Sequence, residues 1–222
     1  MRRIGLTGGI ASGKSTVAEM LRERNYPVLD ADALARAMLE PGQPAYDEAV
    51  RGFGRGILVS EGAGGVDAAA TVGAANAAKT SVGAAGPAVD RKKLAAVVFS
   101  DPQQLARLNK MLHPRIREEA REWFEALERS GGTKLAFEDA ALIFEAGLKG
   151  EFDKVIVCWC RPEQQLARLK ERGMAAEDAQ QRIAAQMPIE EKRRLADEVI
   201  DCSGTLEETE RQLAHAIEKL KS

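Results

Sequence analysis

The sequence predicts an α/β protein with a parallel sheet, on three observations. Short apolar runs alternate with stretches of helical periodicity, the pattern of strands joined by crossover helices that cover both sheet faces. A glycine-rich turn, GLTGGIASGKST at residues 5–16, joins the first apolar run to the first helical one. Prolines and a capping sequence stand where helices are expected to begin.

The first strand is Arg3 to Thr7, and the helix opened at Lys14 continues through Val17 to Arg24. Tyr26 to Asp30, YPVLD, is the second strand. Asp101-Pro102 and His113-Pro114 each place proline at an expected first helical position. TKLAFED from Thr133 and DKVIVCW from Asp153 supply two more strands, and DEVID from Asp197 a short last one. Thr205 with Glu208 three residues later is a capping box, so a final helix starts there.

The 222 residues suffice for a core that needs no disulfide or metal staple. With 32 basic and 34 acidic side chains the net charge is −2, so no global field favours nucleic acid, and a polyanion site must be locally basic. The odd set Cys158, Cys160 and Cys202 has no CxxC spacing. It reads as buried core thiols in a reducing compartment rather than a zinc site or disulfide frame. MRRIGL is followed by a polar glycine-rich stretch containing Lys14, not the apolar core of a signal peptide. No run approaches the roughly 20 apolar residues of a membrane helix, so a soluble cytoplasmic protein is expected. Between residues 62 and 88, 17 of 27 residues are alanine or glycine. Nothing there is large enough to anchor a core, so a surface loop is favoured over an Ala-rich helix from Val66 to Lys79.

Gly8, Gly13, Lys14 and Ser15 spell G-x-x-x-x-G-K-S after an apolar strand and at the start of a helix. Such a loop wraps backbone N–H groups around phosphate oxygens, and the helix adds its N-terminal partial charge. Gly8, Gly9, Ile10, Ala11, Ser12, Gly13, Lys14, Ser15 and Thr16 are therefore the candidate ATP-binding residues. Lys14 would reach the β- and γ-phosphates, and the Ser15 hydroxyl would help hold Mg2+. A GTPase would need N-K-x-D, but Asn109-Lys110 is followed by Met111-Leu112, and the D-x-x-G at Asp201–Gly204 is far from the loop. After the second strand, Asp30 and Asp32 lie at a strand's carboxyl end, where ligands of open α/β sheets sit. One of them can take the proton of an attacking hydroxyl while the other caps the next helix.

In order along the chain, GLTGGIASGKST, DADALAR, PGQPA, FGRGIL, DRKKLAAVVFSD, LNKMLHPRI, ALIFEAG and AAQMPIEEKRRLAD–EVIDCSG resemble the dephospho-coenzyme A kinase family. The resemblance runs from Ile4 to Gly204. It implies a three-layer P-loop kinase fold over 1–222, with a five-stranded parallel sheet. It also implies a helical coenzyme-binding insertion (32–125, enclosing the Ala/Gly-rich 62–88) and a small helical lid (162–196). It further implies phosphoryl transfer from ATP to the ribose 3′-hydroxyl of dephospho-coenzyme A. Asp32 matches the family's catalytic base; Arg36, His113 and Pro114 match its acceptor-side motifs.

Arg168 and Arg172 are four apart on one helical face, and Arg182 follows nearby. With the family order, Arg172 and Arg182 are the expected lid contacts to the moving phosphoryl group. Two positions depart from the family pattern: Ala141 stands where proline usually precedes the LIFE-type stretch, and Cys202 where asparagine is frequent. The competing readings are a P-loop kinase for another small acceptor and a nucleotide-binding regulator without transfer activity.

Overall fold

The computed structural model describes residues 1–59 and 86–221. Of the Ala/Gly-rich stretch expected as a loop, only Gly86–Ala88 falls within them; the Val66–Lys79 helix alternative lies outside. The chain forms two compact units, Met1–Asp32 with Glu119–Ser222, and Ala33–Glu118.

The first unit is built on five parallel strands, β1 (Arg2–Gly8), β2 (Val28–Asp30), β3 (Leu135–Asp139), β4 (Lys154–Trp159) and β5 (Glu198–Asp201), in the order β2-β3-β1-β4-β5. All five expected strands are present. The second and third are shorter than their apolar runs, because pairing in each case starts two residues later, at Val28 and Leu135. Putting β1 in the middle of the sheet buries Ile4 to Gly8 on both faces.

Helices α1 (Lys14–Glu23), α2 (Ala31–Ala37), α3 (Pro44–Phe53), α4 (Arg91–Ser100) and α5 (Pro102–Ser130) precede β3. After β4 come α6 (Pro162–Glu171), α7 (Ala176–Ala184), α8 (Ile189–Leu195) and, after β5, α9 (Leu206–Lys221). The Thr205 capping box forms: the Thr205 N–H donates to Glu208 Oε2 at 2.9 Å, and the Glu208 N–H to Thr205 Oγ1 at 3.2 Å.

Strand alternation sorts side chains between two faces. Ile4, Leu6, Phe137, Ile156 and Ile200 point to one, and meet Val17 and Leu21 of α1 and Leu213 and Ile217 of α9. On the other, Val157 and Trp159 of β4 pack on Ile189 of α8. Cys158, Cys160 and Cys202 are all buried free thiols, as expected.

The Ala33–Glu118 unit has its own core. Tyr46 and Ala49 of α3, Leu94 of α4, and Met111 and Leu112 of α5 pack with Ile57 and Leu58. The chain segments flanking residues 60–85 pair antiparallel, with the Val59 N–H on the Ala88 carbonyl at 2.9 Å and the Asp90 N–H on the Ile57 carbonyl at 2.8 Å. Asp90 then caps α4 by accepting from the Lys92 and Lys93 N–H groups.

One expected helix start is corrected. Pro102 opens α5, with Asp101 Oδ1 accepting the Gln103 N–H at 2.8 Å, but Pro114 lies inside that 29-residue helix rather than at a beginning. Proline has no N–H for the carbonyl four residues back and usually breaks a helix. Here apolar residues on both sides keep the helix going, with Met111 and Leu112 buried before the proline and Ala120 and Phe124 after it. The Arg115 guanidinium also donates to the Met111 carbonyl at 2.6 Å in the affected turn.

Phe137 is fully buried and meets the Tyr26 ring edge-on at 5.6 Å. Phe137→Ala should lower stability by about 3–5 kcal/mol through lost transfer energy and an unfilled cavity, measured as the shift in urea midpoint at unchanged slope.

Candidate active site

The loop between β1 and α1 is shaped by what lies beneath it. Gly13 has φ +103°, and a Cβ there would sit 2.7 Å from Cys202 Cβ. Only glycine fits both the left-handed backbone and the space. Ala11 also takes a positive φ of 58°, one side of an abrupt reversal between strand and helix. The reversal is fixed by the 3.1 Å bond from the Ser12 N–H to the Gly9 carbonyl. Gly13 offers α1 no side-chain cap, so the amides of the first turn remain to face an anion.

The loop is held from outside as well. Arg168 donates to the Ala11 carbonyl at 3.2 Å and the Cys202 carbonyl at 2.6 Å. The Ile10 peptide is gripped on both sides: its N–H donates to Gln186 Oε1 at 2.8 Å and its carbonyl accepts from Gln165 Nε2 at 2.6 Å. Ser12 is buried, and its hydroxyl has no partner among the described residues.

Register places the charges. Asp139 is opposite Leu6 on one side and opposite Asp30 on the other, so both carboxylates end strands on the face that α1 covers. Lys14, on the first turn of α1, makes an ion pair with Asp139 Oδ1. Burial pushes the Asp139 carboxyl above its ordinary range; Lys14 opposes that shift by charge and hydrogen bond, while Asp30 and Asp32 reinforce it. Asp32 is exposed in the first turn of α2.

Lys14, Asp30, Asp32 and Asp139 therefore form one electrostatic group at the strand ends. Asp139 was missed in the sequence. Its signal was the apolar strand LAFED closing on two acidic residues, legible once that strand is known to neighbour β1.

Ser15 and Thr16 are exposed beside Lys14 on α1. Arg172 caps the end of α6 and Arg182 lies in the last turn of α7, both exposed. Arg168, on the same helical face as Arg172, turns instead to the loop's main chain. Arg36 on α2, and His113 and Pro114 on α5, are exposed residues of the Ala33–Glu118 unit.

A parallel sheet of order β2-β3-β1-β4-β5 with a G-x-x-x-x-G-K-S loop after its central strand defines a P-loop protein, and the strand-end carboxylates suit the kinase class. A sequence profile described as dephospho-CoA kinase matches residues 2–71 and 75–208. The dephospho-CoA kinase of Geobacillus kaustophilus is 44% identical over 211 residues, covering 95% of this chain and 92% of that protein. The one from Carboxydothermus hydrogenoformans is 39% identical, covering 98% and 94%. A solved structure from Thermus thermophilus, 33% identical, superposes with a TM-score of 0.75 over 100% of this chain and 98% of that one. The chain belongs to the dephospho-CoA kinase family.

The raised Asp139 carboxyl carries a pH signature. Its folded pKa lies above its unfolded one, so its contribution to stability is complete below the unfolded value and is lost as pH rises through the folded value. Asp139→Asn removes that loss. Its melting temperature relative to the unaltered protein should therefore climb from about pH 4 to pH 8. Thermal melts across that range check it; a pH-independent difference would contradict the burial of this charge.

Proposed function

We infer that the site performs the reaction its family is named for: ATP-dependent phosphorylation of the ribose 3′-hydroxyl of dephospho-coenzyme A, giving coenzyme A and ADP. This is the last step of coenzyme A synthesis. Family membership over nearly the whole chain carries the choice of acceptor, and the grouping of Lys14 with three strand-end carboxylates carries the choice of chemistry.

In this reading Gly8–Thr16 cradle the phosphates with backbone amides, and Lys14 exchanges Asp139 for phosphate oxygens. Asp32 accepts the proton of the 3′-hydroxyl as the new O–P bond forms and the bond from the γ-phosphorus to the bridging oxygen breaks. The departing electron pair stays on the β-phosphate of ADP. Transfer of this kind is catalysed by alignment and charge neutralisation rather than covalent help.

Arg172 and Arg182 supply the neutralisation. Arg172 lies one turn beyond Arg168, which already holds the loop, and Arg182 is in the last turn of α7. An approach of α6 and α7 is the motion that would bring both guanidinium groups toward the γ-phosphate. These helices are the lid of this reading, and their closing excludes water that would otherwise hydrolyse ATP. Arg36, His113 and Pro114 are assigned to acceptor binding, which makes the Ala33–Glu118 unit the coenzyme-binding part.

The donor set near Lys14 is hard oxygen, the Ser15 hydroxyl with the Asp30 and Asp139 carboxylates, and suits Mg2+. When bound, Mg2+ would neutralise charge on the β- and γ-phosphates. Ser15 is the residue assigned to hold it. Among the described residues no helix is long and apolar enough to cross a membrane. Together with three free buried thiols this supports a cytoplasmic enzyme.

ADP release from ATP and Mg2+ should be stimulated by dephospho-coenzyme A and not by AMP, shikimate or pantothenate offered separately. Stimulation by one of the others alone would overturn the acceptor. Asp32→Asn should keep ATP affinity within a few-fold while turnover falls on the order of 10²–10⁴-fold, the scale of a lost general base. Unchanged turnover would remove Asp32 from the chemistry.

A further inference from the structure

Lys192 is the largest fully buried charged side chain among the described residues, and it has no place in the reaction above. Its side chain is completely buried on α8. Burying an ammonium group is expensive unless it is paired and hydrogen-bonded, and three oxygens meet this one. Its Nζ donates to the Ala141 carbonyl at 2.7 Å and to Glu145 Oε1 at 2.8 Å, with a longer 3.4 Å contact to the Gly8 carbonyl. Gly8 is the first glycine of the phosphate loop. The Ala141 carbonyl also accepts the Thr7 hydroxyl at 3.0 Å, which ties the same point to the end of β1.

The segment leading to Lys192 is bound to the loop independently. Gln186 takes the Ile10 N–H, and the next residue, Met187, donates its N–H to Glu145 Oε1 at 3.0 Å. One carboxylate oxygen therefore anchors both Met187 and Lys192, and the residues it anchors reach Ile10 and Gly8. Helix α8 is itself fixed to β4, by Ile189 packing on Val157 and Trp159 and by the 2.8 Å bond from Trp159 Nε1 to Glu190 Oε1. This contact set is rigid at one end and grips the loop at the other.

We propose that Lys192 and Gln186, anchored by Glu145, are positioning residues for nucleotide: they clamp the Gly8 carbonyl and the Ile10 peptide so that the loop's amides face the phosphates before ATP arrives. The proposal rests on the reading of Gly8–Thr16 as the ATP cradle, and it assigns a task to residues on which that reading is silent. Burial pushes the Lys192 ammonium toward the neutral form, while the Glu145 carboxylate holds it charged. The anchor thus also maintains the charge that the clamp uses. Glu145 retains some solvent contact, so removing Lys192 does not strand a fully buried carboxylate.

The test uses Lys192→Met, which matches the stem and removes the charge, and Gln186→Ala. Binding of a fluorescent ATP analogue is titrated first, because it needs no acceptor and stays readable if the acceptor assignment is wrong. Steady-state KM values for ATP and dephospho-coenzyme A follow, alongside thermal melts. Both variants are expected to melt cooperatively. Lys192→Met should bind the analogue at least about tenfold more weakly, the scale of one lost charge-assisted hydrogen bond, and Gln186→Ala about three- to tenfold more weakly, the scale of a neutral one. KM for ATP should rise in step, and KM for dephospho-coenzyme A should stay within about twofold. Unchanged analogue binding by the folded variants would overturn the proposal, and so would equal weakening toward both substrates. Should Lys192→Met fail to fold, Glu145→Ala takes its place under the same criteria.

Discussion

Everything at this site turns on the ion pair between Lys14 and Asp139. The lysine comes from the first turn of α1 and the aspartate from the end of β3, and parallel register brings the strand ends to one level. As a contribution to stability the pair is poor, since burial still drives the Asp139 carboxyl upward despite the lysine beside it. Buried ion pairs commonly return less than their desolvation costs. What the pair supplies is placement. It holds a flexible, strongly hydrated ammonium at the mouth of the loop, where phosphate oxygens could take over from the carboxylate with no change in charge state.

Much of this arrangement was legible in the sequence, and the reasons differ by element. The central strands showed as apolar runs because β1, β3 and β4 are buried along most of their length, and the loop showed because close backbone approach admits only small residues in fixed positions. Thr205 with Glu208 announced its helix through chemistry confined to four residues. Pro114 misled because local chemistry was overruled: a proline that ends most helices sits inside α5, where buried residues on both sides sustain the helix. Asp139 was invisible for the opposite reason. Nothing local distinguishes it from any acidic residue ending a strand, and its importance comes from which strand lies next to β1. Lys192 is a stronger case. In EEKRRLAD it reads as one of several solvated charges, yet it is the one turned completely inward.

The two departures from the family pattern become intelligible in the same terms. Ala141 contributes its main-chain carbonyl, accepting from Thr7 and Lys192. A proline there would offer the same oxygen, so the substitution leaves that contact set intact. Cys202 packs directly under Gly13 and passes its carbonyl to Arg168. A buried thiol behaves as a small apolar group, and here it forms part of the floor on which the loop rests. Cys158 and Cys160 complete that floor: the Cys158 carbonyl lies 2.7 Å from where a Gly8 Cβ would be, and the Cys160 thiol faces the Ala11 carbonyl. Three thiols first noticed for their lack of disulfide or metal spacing are thus united by position.

Charge balance explains why such a site needs help from elsewhere in the chain. Asp30 and Asp32 both act on Asp139 beside a single Lys14, and Lys192 is already committed to Glu145. A nucleotide's phosphates would arrive at a place that is locally acidic, although the loop's amides and the start of α1 attract them. Carboxylates at the strand ends are useful for taking a proton or holding a cation, but each adds repulsion toward the triphosphate. In the proposed reading the deficit is offset by a divalent cation and by the exposed Arg172 and Arg182. Arg172 and Arg182 are exposed at the ends of α6 and α7, so in that reading their charge would be added by movement of those helices. A site balanced in this way would gain its full complement of positive charge only with nucleotide present, which is when water must be kept from the γ-phosphate.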